Sequence, residues 1–280
     1  MTAMRQLLPL CLAVMSLLSF EGVARGNDVW ADIGRQFEPS QLTSLNLGNT
    51  EIPVISHPAD AVLSRGVAMM LVDNGYQGLT LSAALQLARR MNEWGWHTRI
   101  VVLPLSIAHP EPVNASIASS SASQLQSWVN YEGSQEQLRA LLKALFEQSN
   151  SVHGLKVLIT QGMTATQYLA LSKNAEVPVP DSLVTIAPYW PEQKVNQEIS
   201  DMLANTEYPV LDLRLTRMNH WESQTARPRQ LAAKRALKLH YRQRTVQDNG
   251  LPVASLDGFS SPLSNWLSKE IYGWIRYLGW

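Results

Sequence analysis

Residues 157–165 read Val-Leu-Ile-Thr-Gln-Gly-Met-Thr-Ala, and this stretch decides how the rest of the chain is interpreted. The apolar residues around Ile159 are typical of a buried strand, and Gln161-Gly162 ends the run with a sharp turn. A helix is predicted directly afterwards, from about Met163 to Ser172. A strand, a tight turn and a helix in immediate succession are typical of an α/β protein.

The same alternation continues in both directions along the chain. Strands are predicted at Ile52–Ser56, Gly66–Val72, Thr98–Leu105, Leu155–Thr160, Ser182–Ala187, Pro209–Leu215 and, half-buried, around Leu237–Tyr241. Helices are predicted from a Thr80 cap to Asn92, from the capping box Ser134–Gln137 to about Gln148, and from helix-opening prolines at Pro191 and Pro228. This order predicts a three-layer, doubly wound, mostly parallel sheet with helices on both faces.

Ligands of such a sheet bind at the carboxyl ends of the strands, which directs attention to the turn after Ile159. The segment Val157–Ala165 resembles the nucleophile elbow of the α/β-hydrolase fold, a small-x-nucleophile-x-small pattern. Thr160 and Thr164 fall on the small positions, and Gly162 falls on the nucleophile. Glycine tolerates the strained backbone of an elbow but has no oxygen with which to attack.

The other triad positions of that fold are also poorly matched. The loop after Leu215 has no carboxylate before Glu222, and no histidine follows His240. The loop after the first buried strand, where His-Gly is common, reads Asp73-Asn74-Gly75-Tyr76. The ordinary Ser-His-Asp relay is therefore not expected here. The candidate cleft residues are Asp73, Asn74, Gly75, Tyr76, Gln161, Gly162, Met163, Thr164, Asn219 and His220.

These features resemble a bacterial family of exported α/β-hydrolase-like proteins that is known only by a domain-of-unknown-function label. The resemblance covers about residues 28–280, and its most specific parts are the Pro-Val-Leu-Asp-Leu and Tyr-Arg-Gln blocks. The matching segments are Gly66–Gly75, Gly95–Pro104, Val157–Ala165, Tyr208–Leu213, Ala226–Arg235, Tyr241–Gln243 and Gly273–Ile275. The resemblance implies the fold, but it supplies no reaction, substrate or catalytic residue. This sequence departs from the more enzyme-like pattern at Asp73.

The amino terminus predicts export. A short segment with Arg5 precedes the apolar run Leu7–Phe20, and small residues follow it up to Gly26. This pattern predicts a signal peptide at residues 1–26, a periplasmic location, and one mature domain at residues 27–280 without a membrane span. The only cysteine, Cys11, lies in the predicted signal peptide. Disulfides, cysteine catalysis and thiolate metal sites are therefore not expected in the mature chain.

The distribution of charged residues and the positions of the histidines bear on three classes of partner: nucleic acid, anionic surfaces and metal ions. The chain has 23 basic and 23 acidic residues, so nucleic acid is not an expected partner. The segment Arg214–Arg244 has nine Arg or Lys residues against one acid. It either makes weak contact with an anionic envelope surface or forms a solvated face with internal salt bridges. His57, His109 and His153 lack acidic or histidine neighbours at metal-ligand spacing, so neither a metal nor a cofactor is predicted.

Two further segments stand out. Residues 106–133, with the serine run Ser119–Ser123, are predicted to be an inserted loop. Residues 260–280 form a predicted amphipathic helix, which either docks on the sheet or contacts a partner or membrane.

Two functional hypotheses follow. The first is a catalytically degenerate protein that binds a small molecule or an envelope protein at its cleft. The alternative is a hydrolase of an ester or an envelope glycan or peptide, in which Thr164 or a serine of Ser119–Ser123 is the nucleophile and His220 the base. Asp212 is expected to form an ion pair with Arg227 or Arg235 rather than to act as an acid or base.

Overall fold

An eight-stranded sheet forms the centre of the fold. The computed structural model describes residues 25–48, 50–73, 78–108, 131–216, 219–247, 253–255, 258–260 and 262–280. The strands, in chain order, are β1 Leu42–Leu47, β2 Thr50–His57, β3 Gly66–Val72, β4 Trp96–Val102, β5 Leu155–Gln161, β6 Ser182–Ile186, β7 Val210–Leu215 and β8 Tyr241–Val246. Their order in the sheet is β1-β2-β4-β3-β5-β6-β7-β8. Strands β4, β3 and β5 to β8 are parallel, while β1 and β2 pair antiparallel. The short strands β9 Val253–Ser255 and β10 Gly258–Ser260 form a separate antiparallel pair.

Helices cover both faces of the sheet. They are α1 Arg25–Gln36, α2 Leu81–Glu93, α3 Leu105–Ala108, α4 Tyr131–Ser149, α5 Gly162–Lys173, α6 Gln193–Ala204, α7 His220–Arg235 and α8 Pro262–Tyr277. Apolar residues of α4, α5 and α6 form one core with one face of the sheet. Those of α2 and α8 form a second core on the other face. The predicted three-layer, doubly wound architecture is confirmed.

Local sequence explains two helices as predicted. Thr80 caps α2, because its Oγ1 accepts a hydrogen bond from the Ala83 N–H at 3.3 Å. The amphipathic carboxyl-terminal helix is α8, which buries Leu267, Ile271 and Trp274. The Trp274 Nε1–H donates to the Ser182 Oγ at 2.9 Å, which ties α8 to β6. Of the two roles considered for this helix, docking on the sheet is the one observed.

Three helix starts differ from the sequence prediction. Helix α4 begins at Tyr131, so Ser134 lies inside the helix and is buried. Helix α6 begins at Gln193, because Glu192 rather than Pro191 is the extended residue that precedes it. Helix α7 begins at His220, where the Asn219 Oδ1 accepts from the Glu222 N–H at 2.9 Å, and Pro228 lies within it. A proline interior to a helix leaves one carbonyl unpaired, and here that carbonyl belongs to the exposed Gln224, where water can satisfy it.

The predicted half-buried strand around Leu237–Tyr241 is wrong in its first half. Strand β8 begins only at Tyr241, while Leu237 has φ +50° and ends α7 in a turn. Leu237 and Leu239 are both exposed. Their alternation with charged residues reflects a turn that projects them outward, not a strand with one buried face.

Some predictions fall outside the described residues. The predicted signal peptide does so except for Arg25 and Gly26, which begin α1. Most of the predicted insertion, residues 109–130, also lies outside; its ends belong to α3 and α4. Within the described ranges, none of the helices combines the length and apolarity needed to span a bilayer.

Candidate functional site

The turn at Gly162 has the geometry of a nucleophile elbow without a nucleophile. Strand β5 ends at Gln161 and α5 begins at the next residue, so no loop separates them. Gly162 has φ +54°, a left-handed conformation that favours glycine. A Cβ at this position would lie 3.3 Å from the Tyr189 Cε1 and 3.6 Å from the Asp73 Oδ2. A carboxylate and a phenol ring therefore flank the space that a nucleophile would occupy.

Asp73 is the central charged group of this cluster. It follows β3 directly, is 6% exposed, and its Oδ1 accepts a hydrogen bond from the Thr164 Oγ1 at 3.4 Å. Burial raises the pKa of Asp73 to about 7, although hydrogen bonds from Gln161 and Thr164 oppose the shift. Across the described ranges, the ion pairs involve other carboxylates and leave Asp73 out. Asp73 is thus a buried carboxyl group without a cationic partner in the described part of the chain.

Tyr189 completes the cluster and was not anticipated from the sequence. It follows β6, and its backbone N–H lies 3.4 Å from the Gly162 carbonyl oxygen that accepts its hydrogen bond. Burial, and then the charge of Asp73, raise the pKa of its phenol. The rule that pointed to residues after β3 and β5 also applies to residues after β6, so position alone could have indicated Tyr189.

Gln161 supports the loop that follows Asp73. Its Oε1 accepts from the Leu79 N–H at 2.6 Å, and its Nε2 donates to the Leu79 carbonyl at 3.3 Å. Gly78 lies against the same amide, because a Cβ there would collide with the Gln161 Oε1. The side chain of Gln161 therefore acts as a clamp on the connection between β3 and α2. The other predicted residues of that connection, Asn74, Gly75 and Tyr76, lie outside the described residues.

The remaining predicted site residues have other places in the structure. Met163 is buried in the core beneath α5. Asn219 caps α7 through its side chain. His220 is exposed, and its ring lies 4.7 Å from that of Trp221. In the described part of the chain, no hydrogen bond joins His220 to Thr164 or Asp73. The structure therefore brings Asp73, Gln161, Gly162 and Thr164 together.

Asp212 belongs to a separate, fully buried ionic network. Its Oδ2 accepts from the Arg229 Nε at 2.9 Å, and the Tyr241 hydroxyl and the Gln243 Nε2 donate to the same oxygen at 2.8 Å each. The Arg229 Nη2 also donates to the Glu222 Oε1 at 2.9 Å. Burial alone would lower the pKa of Arg229, but the two carboxylates raise it above its ordinary value.

The ion-pair role predicted for Asp212 is therefore observed, but with Arg229. The predicted partners Arg227 and Arg235 are exposed. Arg229 lies on the face of α7 that turns toward β7, whereas Arg227 and Arg235 lie on the outer face of the helix. The segment Arg214–Arg244 is therefore not one charged surface, because Arg229 and, through Glu222, Arg214 point their charges inward.

In the described part of the chain, two large grooves lie away from the elbow. A groove of about 640 Å³ lies between α6 and α7, and one of about 770 Å³ lies between the β1–β2 hairpin and α4; neither is lined by Asp73 or Gly162. Over the ranges that the structure covers, no group of three or more His, Cys, Asp or Glu side chains is arranged to hold a metal ion.

Comparison with known proteins defines the family. A family described as "Protein of unknown function (DUF3530)" matches residues 30–276. The chain belongs to this family. No curated protein matches the sequence. A DUF3530 assignment gives no reaction, in agreement with the resemblance noted from the sequence.

Solved structures identify the fold of this DUF3530 protein as that of the α/β-hydrolases. The esterase domain of a Rhodothermus marinus protein superposes with a TM-score of 0.53 at 12% identity, covering 84% of this chain and 97% of that chain. A predicted CIB-like hydrolase from Thermoplasma acidophilum gives 0.52 at 13% identity, covering 84% and 97%. Esterase 2 of Thermogutta terrifontis, phosphorylated by paraoxon, gives 0.55 at 9% identity, covering 84% and 93%. At such identities the likeness establishes the fold alone.

Proposed function

We propose that this protein is a catalytically degenerate member of the α/β-hydrolase fold that binds a ligand at the elbow and is exported to the cell envelope. The observation that carries the proposal is that the elbow has a carboxyl group beside it and no nucleophile. Gly162 stands where the fold presents a nucleophile, and the Asp73 carboxyl lies 3.6 Å from the site of the missing Cβ. A binding group thus replaces an attacking group.

Each component of serine hydrolysis has a specific obstacle. Gly162 has no hydroxyl, no histidine follows β8 in the sequence, and Asp212 is engaged by Arg229. An oxyanion site needs hydrogen-bond donors, whereas the residue after β3 is Asp73, whose ionised form would repel the developing negative charge. These obstacles concern four independent positions, so one compensating change would not restore the mechanism.

The chemistry of Asp73 points to the ligand. Asp73 has no cationic partner among the described residues, and the ionised form of such a buried carboxyl is stabilised by a ligand that brings a positive charge or hydrogen-bond donors. A primary amine is the simplest such group. The Thr164 hydroxyl provides a further polar group beside Asp73, and the edge of the Tyr189 ring borders the same space. We therefore expect a small molecule with an amino group, or an exposed lysine of an envelope protein, as the bound species.

The displaced-site hydrolase remains a second candidate because of one contact. The Thr164 hydroxyl donates to Asp73 at 3.4 Å, and a carboxyl with a pKa of about 7 is suited to accept a proton near neutral pH. Two observations weigh against it. Thr164 is fully buried, and His220 is exposed, with its ring 4.7 Å from the tilted ring of Trp221. The serines of Ser119–Ser123 lie outside the described residues.

A fluorophosphonate probe of serine hydrolases tests the first half of the proposal. We expect no covalent adduct on the purified protein, as judged by intact mass. The matched control is Thr164→Val, which keeps the shape of the side chain but removes its hydroxyl. Stoichiometric labelling of the wild type that is lost in Thr164→Val would establish the second candidate, and labelling that persists in the variant would place a nucleophile elsewhere. Either result would refute the binding-only proposal.

Thermal unfolding with a panel of small amines tests the second half. Ligands that bind only the folded state raise the melting temperature, and the stabilisation grows with the logarithm of the ligand concentration relative to Kd. We expect shifts above pH 7, where Asp73 is ionised, and none in Asp73→Asn. Equal shifts in the wild type and Asp73→Asn would show that the amines bind elsewhere.

A further inference from the structure

The most exposed apolar side chains all lie at one end of the sheet. Among the described residues, five large apolar side chains are more than half exposed: Val62 at 102%, Leu63 at 84%, Val179 at 58%, Leu237 at 87% and Leu239 at 78%. Val62 and Leu63 lie in the loop that enters β3, Val179 in the loop that enters β6, and Leu237 and Leu239 in the loop that enters β8. Because these three strands are parallel, their entry loops lie at the same end, which we call the entry face.

The backbone holds Leu237 outward against its own conformational preference. The Leu237 N–H donates to the Lys234 carbonyl at 3.1 Å, and the Lys238 N–H donates to the Ala233 carbonyl at 3.0 Å. These bonds form a Schellman motif at the end of α7, with Leu237 at φ +50° in the position where glycine is usual. A leucine there is strained and gains no packing, since its side chain is almost fully exposed. Such a residue indicates a contact that the isolated chain does not make.

Positive charge surrounds the two leucines. Residues 234–244 contain five Arg or Lys residues and no carboxylate. Three of these cations are engaged: Lys238 donates to the Tyr208 carbonyl at 3.0 Å, Arg242 lies 4.4 Å from the Tyr277 ring centroid, and Arg244 lies 3.5 Å from Glu270. Lys234 and Arg235 are exposed and belong to none of the ion pairs found in the described ranges. Two cations without an ion-pair partner in the described residues thus precede the two exposed leucines in the sequence.

The loops that enter β3 and β6 have apolar residues at their tips and charged residues of both signs around them. Asp60 and Arg65 flank Val62 and Leu63. Around Val179 the charged residues are Lys173, Asp181 and Glu176, of which Glu176 pairs with Arg139, and the loop that enters β7 adds the exposed Glu207. The strand order places β3 and β8 four positions apart, about 19 Å at the usual strand spacing. The apolar tips are therefore spread over a plane rather than gathered in one patch. A lipid bilayer is fluid and can accommodate several separate apolar loops at once. A protein partner would need a matching pocket for each loop, so the arrangement favours a bilayer.

We propose that the entry face docks on a lipid bilayer with anionic headgroups. Leu237 and Leu239 insert among the acyl chains, Lys234 and Arg235 contact the headgroup phosphates, and the tips at Val62–Leu63 and Val179 complete the contact. Gly162 and Asp73 lie at the opposite, carboxyl end of the strands, so the docked protein presents the elbow to the aqueous side. The proposal is independent of what the elbow binds.

Vesicle co-sedimentation tests this proposal. The full chain is expressed in one host, so that every variant has the same amino terminus. The vesicles are phosphatidylcholine alone or phosphatidylcholine mixed with phosphatidylglycerol. We expect binding to the mixed vesicles that weakens with added salt. Leu237→Gly combined with Leu239→Ser should lower the apparent affinity by about tenfold or more, since each leucine loses its burial in the bilayer. Lys234→Gln combined with Arg235→Gln should lower affinity for the mixed vesicles alone.

The controls separate docking from folding. Glycine suits the φ of +50° at position 237, so Leu237→Gly does not endanger the fold. Leu231→Ser changes a leucine that is exposed on α7 outside the entry face and should leave binding unchanged. Equal binding of the wild type and the double leucine variant would overturn the proposal. Failure of the wild type to bind mixed vesicles at low salt would also overturn the proposal. If the protein then dimerised with increasing concentration, the entry face would serve a protein contact; if it did not, the face would serve no contact.

Discussion

Replacing Gly162 with serine would restore a hydroxyl to the elbow, and the structure predicts that it will weaken the fold without creating an esterase. A non-glycine residue in the left-handed region costs about 1–2 kcal/mol. The new Cβ would also lie 3.3 Å from the Tyr189 ring, so that ring must shift slightly. We expect the free energy of unfolding to fall by about 1–3 kcal/mol, measured by urea denaturation. Gly48→Ser is the matched control, because Gly48 has φ +61° but no heavy atom of the described residues within 4 Å of its Cβ position. The difference between the two losses isolates the crowding at the elbow.

The activity assay for Gly162→Ser is hydrolysis of a short-chain activated ester, compared with the parent protein. No saturable activity is expected, because the new hydroxyl would lie beside the Asp73 carboxyl and have no histidine as base. A saturable gain that disappears on mutation of a histidine would refute the reasoning. It would reveal a base that the described structure does not bring to the elbow.

Three further predictions follow from buried or strained groups. Asp73→Asn should gain stability relative to the wild type as pH rises to about 7, because in the folded wild type Asp73 retains a proton that the unfolded chain has already lost. The difference in free energy of unfolding between the two proteins should change by at most about 1.4 kcal/mol per pH unit. Urea denaturation measures it, and the same pH dependence in both proteins would contradict the prediction. Arg229→Met should lower the free energy of unfolding by about 3–5 kcal/mol, because it removes the buried cation that Asp212 and Glu222 share and leaves Asp212 without an ion-pair partner in the described residues. The exposed Arg227→Met should change it by less than about 0.5 kcal/mol. Leu237→Gly should raise it by about 0.5–1 kcal/mol through relief of the positive φ, and a loss in thermal or urea denaturation would count against that strain.

The layered fold could be predicted because its signals are local. Apolar runs such as Gly66–Val72 are buried on both faces of the sheet, and such runs stand out without knowledge of their partners. The cap at Thr80 and the spacing of α8 are likewise encoded within a few residues. Boundaries failed where two local signals competed. Pro228 suggested a helix start, but the helix begins at His220, where the side chain of Asn219 caps it.

The site was predicted in part, because topology aligns strand ends but does not reveal which side chains meet. Asp73 and Gly162 were found from their places after β3 and β5. The contact between them, and the presence of Tyr189, depend on distances across three strands that no local pattern records. The choice of Arg229 over Arg227 depends on which face of α7 turns inward. The misplaced start of α7 at Pro228 concealed that face.

A buried carboxyl, without a cationic partner among the described residues, lies beside the point where the fold would place a nucleophile. Carbon-13 NMR of the Asp73 carboxyl, assigned by comparison with Asp73→Asn and followed as a function of pH, measures this directly. We expect a titration midpoint near 7, well above that of an exposed aspartate. A midpoint at or below the ordinary value would show that Asp73 is solvated or paired with a cation, and that the elbow holds no buried carboxyl of the kind described.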